Sequence, residues 1–439
     1  QGVPFLTKDH LLEVKNTPLS NGSAAFKHNI SNYDSELVSQ YKSGGLNIFG
    51  KTNTPEFGLM GITEPKEFGA CKNPWDLTRT PGGSSGGSAA AIAAGIVPMA
   101  SAGDGGGSIR IPASCCGLFG FKPSRGRTPL GPTATEYWDG AVVEHVLSRS
   151  VRDSAAALDL SSSPADVISS YTQFTPPMAH KLNETPPVSF LAALDQAPRK
   201  LKIAFSTQSP LGTPVEQEAK DAVEEAAKLL QSLGHEVIDA TPSYDGEAVA
   251  KSYFTLYMGH VAADINALCT ESNSCIKEAP LELQTRTLGG LGRALSAETF
   301  VSAKRRWHEY SVSMAKFHQE YDIFLTPVLA AKPAKIGEFD SSWFENLGMS
   351  IINYLGLHKL LLKSGQFEKT ALKMLEKMPF TQLNNLTGQP GMSVPLHWTK
   401  DGIPMGVQFT SAIGDDCTLF QLARQLEQAK PWFDRTPSL

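Results

Sequence analysis

The sequence predicts an α/β fold built on a mixed sheet, and three stretches carry that expectation. Residues 201–205 read as a strand, 213–233 as an amphipathic helix and 236–238 as a second strand. A strand, a crossover helix and a strand make a parallel pair. Residues 393–396 and 406–409 flank Asp401-Gly402 and read as an antiparallel hairpin. Between Thr80 and Arg110, two glycine-dense turns bracket an alanine-rich run whose helix carries almost no side-chain bulk and can pack close against a sheet.

The elements follow in order. Residues 3–7 form a short apolar strand that delivers Lys8, 32–42 a modest helix and 46–49 a buried strand. Residues 53–80 are loop-rich, with Phe57, Met60 and Trp75 as candidates to line a pocket. Residues 88–94 make a helix stopped by Gly95, and 96–100 a short strand. A helix starts within 109–116. Residues 119–131 are turn-rich. Residues 133–140 are irregular and aromatic, which makes Tyr137 and Trp138 candidates to touch a substrate. A helix covers 150–160. The Ser- and Pro-rich residues 161–198 read as a peripheral excursion from a single domain spanning 1–439. Thr213-Pro-Val-Glu216 reads as a capping box with Pro at the first helical position, and apolar residues from 215 to 233 keep to one face. Helices follow over 246–269 and 297–320, with a strand at 323–325 ended by Pro327. Residues 343–378 form broken helices placed to cover a site, and the last helix spans 417–428.

Composition excludes several classes. A net charge of -5 argues against nucleic acid as the main partner. No run of 18 apolar residues exists, so no membrane-spanning helix is expected. Six cysteines in 439 residues make no disulfide scaffold, and no Cys/His set has zinc spacing, so free thiols and no metal are expected. Asn-x-Ser/Thr sequons begin at Asn21, Asn29, Asn183 and Asn385 and imply nothing without a leader.

The chemistry concentrates in the two turns. Gly82, Gly83, Gly86 and Gly87 surround Ser84-Ser85 and permit a tight backbone there. Asp104 is followed by Gly105, Gly106, Gly107 and Ser108, whose N–H groups can converge on one oxyanion. The run Gly-Gly-Ser-Ser-Gly-Gly-Ser followed by Gly-Gly-Ser-Ile-Arg110 resembles the amidase signature family, and the resemblance runs nearly end to end. Its flavour is similar to 6-aminohexanoate cyclic dimer hydrolases and to amidases acting on aryl amides and carbamates. The resemblance implies the amidase signature fold, with helices on both faces of the sheet and N-terminal helices preceding residue 1. It implies a Ser-(cis-Ser)-Lys triad: Ser108 as nucleophile, Ser84 as the relay and Lys8, in Gly-Val-Pro-Phe-Leu-Thr-Lys8-Asp9, as the base. Gly105, Gly106, Gly107 and Ser108 would supply the oxyanion hole. Ser85, Asp104 and Arg110 would orient the turns, the last two equally well as a structural ion pair. Gly105 stands where the family often has Thr, which removes a hydroxyl. The implied reaction is hydrolysis of a small amide, aryl amide, cyclic amide or carbamate, with no cofactor, a cytoplasmic location and room for a homodimer.

Composition alone does not single out Lys8, since Lys51 and Lys122 also sit in plausible contexts. Two rival readings remain. Gly82-Gly-Ser84-Ser-Gly86 matches the nucleophile elbow of α/β-hydrolases, with Ser84 attacking, but it follows a loop where an elbow follows a strand. The other is an amidase-type subunit of an amidotransferase that works with a partner.

Overall fold

The computed structural model describes residues 2–162, 189–271 and 279–438. Ten strands form one sheet in the order β2-β1-β3-β5-β4-β9-β10-β8-β6-β7. They are β1 (Val3–Lys8), β2 (Leu46–Thr52), β3 (Met99–Asp104), β4 (Phe119–Lys122), β5 (Val143–Ser148), β6 (Lys202–Phe205), β7 (Glu236–Asp239), β8 (Ile323–Pro327), β9 (Gly391–Trp398) and β10 (Pro404–Ser411). The sheet is mixed. β2-β1-β3 and β8-β6-β7 are parallel runs at its two ends, and antiparallel pairs join them through the centre.

Alternation along the strands puts helices on both faces. Leu6, Ala100 and Leu147 pack with helices Gly86–Ala93 and Arg110–Cys116, whereas their neighbours Phe5, Met99 and Val146 pack with Leu37, Tyr41 and Ala157 on the other side. Successive strand residues face opposite ways, so these clusters lie on opposite faces. The largest cluster joins β4, β6 and β8 to β10 with helices Val151–Ser161, Gln217–Ser232 and Asp416–Ala429. Gly86–Ala93 is buried at every position but Ala90, and its small side chains let it lie against β3.

The parallel unit β6–helix–β7 and the β9–β10 hairpin stand as expected. Several details differ. β3 begins at Met99 and runs to Asp104, because Pro98 brings no N–H to a ladder and Ile96 is exposed. β2 is an edge strand with Phe49 exposed, not a buried one. Phe119–Lys122 is a buried strand, not a turn, and β5 was not anticipated. Helix Gln217–Ser232 starts after the expected capping box. Glu216 is its N-cap without a side-chain cap, and the Thr213 hydroxyl pairs with Ser209. Residues 343–378 hold three helices, Trp343–Leu355, His358–Ser364 and Gln366–Leu375. Cys71, Cys115, Cys116, Cys269 and Cys417 are free, while Cys275 and most of the expected 161–198 excursion lie outside the described residues. Among the described residues no helix is long and apolar enough to cross a membrane.

Candidate active site

β1 delivers Lys8 to the centre of the molecule. The strand pairs with β2 as far as Lys8, where β2 ends at Thr52, and with β3 as far as Leu6, and β3 runs on past Lys8 to Asp104. Its side chain is 2 % exposed, and its Nζ lies 2.7 Å from the Ser84 Oγ. Its backbone N–H is anchored on the Ser101 hydroxyl at 2.7 Å. Burial draws the Lys8 pKa down to about 8, against the pull of Glu144 and Asp104. A buried ammonium without full compensation loses its proton easily, so this lysine can act as a base near neutral pH.

Ser84 follows a cis peptide bond from Gly83. The turn tolerates no side chain there: a Cβ on Gly83 would stand 2.5 Å from the Ile62 carbonyl oxygen. The turn is tied to β3 and the helix beyond it. Ser85 Oγ donates to the Gly103 carbonyl at 3.4 Å, Ser88 Oγ donates to the Ser101 carbonyl at 2.7 Å, and Gly82 packs on Pro112.

Ser108 lies half-buried between the end of β3 and helix Arg110–Cys116. Asp104 shapes this turn. Its carboxylate accepts the Gly107 N–H at 2.7 Å and the Ile109 N–H at 3.2 Å, together with Nε and Nη2 of Arg110 at 2.9 Å each. Both side chains of the pair are fully buried. Arg110 also donates to the Thr381 carbonyl, Gln408 Oε1 and Asn385 Oδ1, which ties the turn to the C-terminal half of the chain. Burial pushes the Asp104 carboxyl up, but the Arg110 charge and hydrogen bonds outweigh it and hold the group well below the usual carboxylate range.

Gly107 corrects one expectation. Its N–H is committed to Asp104, so it is not open to an oxyanion, and Gly107 serves the bend instead. Its φ of 126° suits glycine, and a Cβ would meet the Thr381 hydroxyl at 2.4 Å. The Gly106 carbonyl is fixed by Thr381 Oγ1 at 2.6 Å.

The other candidates sort by position. Lys51 Nζ lies 3.6 Å from Asp9, and Lys122 Nζ donates to the Pro123 carbonyl, so neither meets Ser84. Trp138 reaches the site: a Cβ on Gly105 would stand 3.3 Å from its ring, which meets Tyr257 edge-on at 5.3 Å. Tyr137 is half-buried beside it, and its carbonyl caps the short turn that sets Trp138. Met60 is half-buried after Leu59, whose carbonyl accepts the Tyr257 hydroxyl at 2.5 Å. Phe57 and Trp75 belong to the packing, against Phe26 and Trp398. Sequence reasoning missed Glu144, Thr381 and His10. Glu144 is buried in β5 with neither carboxyl oxygen hydrogen-bonded, and burial raises its pKa. His10 lies, with the Ser84 hydroxyl, about Gly58, and burial keeps it neutral. No strand precedes Ser84 between β2 and the turn, which removes the nucleophile-elbow context.

The amidase family model matches residues 1–420. The chain belongs to the amidase family. It is an amidohydrolase, an α/β enzyme with the amidase signature fold. It is 34% identical over its whole length to the putative amidase AmiB2 of Mycobacterium tuberculosis, covering 84% of that protein. It is 33% identical to the 6-aminohexanoate-cyclic-dimer hydrolase of Pseudomonas sp. strain NK87, covering 85% of it. A solved structure of 6-aminohexanoate cyclic dimer hydrolase with its substrate superposes on the whole chain at a TM-score of 0.86 and 30% identity, with 88% of that chain covered. One subunit of the glutamyl-tRNA(Gln) amidotransferase of Thermotoga maritima matches 98% of the chain and 83% of its own at a TM-score of 0.72 and 27% identity.

Proposed function

We propose that this amidase hydrolyses small cyclic or otherwise apolar amides through an acyl-enzyme on Ser108, with Ser84 and Lys8 as the proton relay. The observation that carries the reading is the 2.7 Å contact between the buried Lys8 Nζ and the Ser84 hydroxyl. A serine hydroxyl is a weak nucleophile until a base takes its proton. Neutral Lys8 takes the proton of Ser84 as Ser84 takes that of Ser108. Ser108 Oγ then bonds to the amide carbon. The N–H groups of Gly105, Gly106 and Ser108 hold the oxyanion. The C–N bond breaks as Ser84 returns a proton to the leaving nitrogen. Water then cleaves the ester by the same relay and restores Ser108. Asp104 and Arg110 hold the turn in shape.

The substrate class is argued from two sides. Trp138 at Gly105 gives the turn an apolar wall. The relatives named cyclic-dimer hydrolase, and the solved structure of one, make a cyclic amide the leading candidate. An aryl amide and a carbamate are the next to try. The test is a hydrolysis panel of a linear aliphatic amide, an anilide, 6-aminohexanoate cyclic dimer and an aryl carbamate, run with the wild type and with Ser108→Ala. Turnover of the cyclic dimer that Ser108→Ala abolishes supports the reading. Turnover that survives in Ser108→Ala sinks it.

A further inference from the structure

Tyr253 stands over the oxyanion turn and has no place in the relay described above. It projects from helix Gly246–Glu271, far from the turn in sequence. A Cβ on Gly106 would meet the Tyr253 hydroxyl oxygen at 2.1 Å, so the phenol rests directly on the Gly106 α-carbon. Only a glycine leaves room for it. The ring is 9 % exposed and is wedged by Trp138 at 6.3 Å and Tyr257 at 6.1 Å. The two tyrosines differ in one respect. Tyr257 spends its hydroxyl on the Leu59 carbonyl, whereas the Tyr253 hydroxyl makes no hydrogen bond among the described residues. A buried phenol ordinarily finds a partner for its O–H, and the Tyr253 oxygen, unlike that of Tyr41, is not among the buried atoms left without one, so it opens on accessible space. That space adjoins Gly106, in the turn between Asp104 and Ser108.

We propose that Tyr253 is a further catalytic residue, its hydroxyl donating to the substrate carbonyl oxygen beside the backbone N–H groups of Gly105 and Gly106. Burial pushes its pKa up, so the phenol keeps its proton and remains a donor throughout the working range. The ring is fixed by its aromatic neighbours, which makes the donor pre-positioned and not recruited on binding. The inference rests on the acyl-enzyme reading of Ser108.

Tyr253→Phe removes the hydroxyl and keeps the ring. The variant is compared with wild type on 6-aminohexanoate cyclic dimer and 4-nitroacetanilide, and by the rate at which a fluorophosphonate labels Ser108. The phosphoryl oxygen of that reagent takes the place of the oxyanion. The expected result is a fall in kcat of about 100-fold, the low end of what losing one oxyanion donor costs. KM should stay within about threefold, labelling should slow in parallel and the thermal midpoint should not move. Wild-type kcat and labelling rate in the variant would overturn the inference and leave the Ser108 reading intact. A rise in KM alone would also overturn it, since the hydroxyl would then bind the substrate equally in ground and transition states. A wild-type protein that neither turns over these amides nor labels at Ser108 would overturn both.

Discussion

Replacing Arg110 by Met should cost this protein about 3–5 kcal/mol of stability, because it strands a buried carboxylate. Asp104 and Arg110 are both fully buried. The substitution removes two of the charged hydrogen bonds on Asp104 and leaves its negative charge inside the sheet. It also deprives Gln408 Oε1, Asn385 Oδ1 and the Thr381 carbonyl of their donor, and each unsatisfied acceptor carries its own penalty of about 1–3 kcal/mol, overlapping the first. Met roughly preserves the stem volume, so packing contributes little. The assay is urea unfolding followed by fluorescence, with wild type and variant compared at pH 8 and pH 5. The sign of the pH effect follows from linkage. In the wild type the Asp104 carboxyl is held well below its ordinary value, so its stabilisation is present above the unfolded pKa and is lost only at strongly acid pH. Without Arg110, burial is opposed only by the Gly107 and Ile109 N–H groups, the Asn385 amide and the Lys122 charge, and the expected outcome is a folded pKa above the unfolded one. The deficit is then full at high pH and shrinks as pH falls through the raised folded pKa. Arg110→Met should therefore be closer to wild type at pH 5 than at pH 8. A deficit below about 1 kcal/mol, the size of a surface ion pair, would refute the reasoning. So would a deficit that is the same at both pH values.

Three further outcomes are expected. With Lys8 drawn down to about 8 by burial, the neutral amine gains as pH rises, so kcat/KM should climb through that range and level off above it; a profile that peaks below neutrality would exclude a lysine base. Lys8→Met should abolish turnover, whereas Lys51→Ala, which loses contacts with Asp9 and the Leu12 carbonyl and none with Ser84, should keep turnover within a few-fold of wild type in the same hydrolysis assay. Gly107→Ala should fail through geometry alone: the added methyl meets the Thr381 hydroxyl at 2.4 Å and the backbone holds a φ of 126°, so the expected result is a folded but inactive protein by circular dichroism and turnover, and an active one would show that the turn can shift.

The site was legible in the sequence where chemistry is local. The glycines around Ser84 and Ser108 announce tight turns, and the short strand before Lys8 places a lysine in an apolar setting. What distinguished Lys8 from Lys51 and Lys122 was family resemblance, and only the fold gives the physical reason: β1 ends beside Ser84, while Lys51 faces Asp9 and Lys122 faces its own backbone. Long-range partners were hidden. Tyr253, Thr381 and Gln408 reach the nucleophile turn from helices and strands more than a hundred residues away, and nothing in their local sequence marks them. Glu144 was invisible for another reason: a carboxylate within an apolar stretch reads as solvent-facing, yet Gly103 on the neighbouring strand leaves the space it occupies. The N–H of Gly107 was misassigned because three successive glycines look equivalent until Asp104 selects one. In the sheet, the parallel ends and the hairpin were readable from period and turn chemistry. β4 and β5 were not, since each is short and is fully buried through pairing on both sides.

The central claim is that the acyl group passes through Ser108. It is tested most directly by acid-quenching the enzyme during turnover of 6-aminohexanoate cyclic dimer and mapping the modified peptide by mass spectrometry. The account predicts an acyl ester on Ser108, absent in Ser108→Ala. An ester on Ser84, or steady turnover with no acyl-enzyme at any quench time together with an active Ser108→Ala, would contradict it.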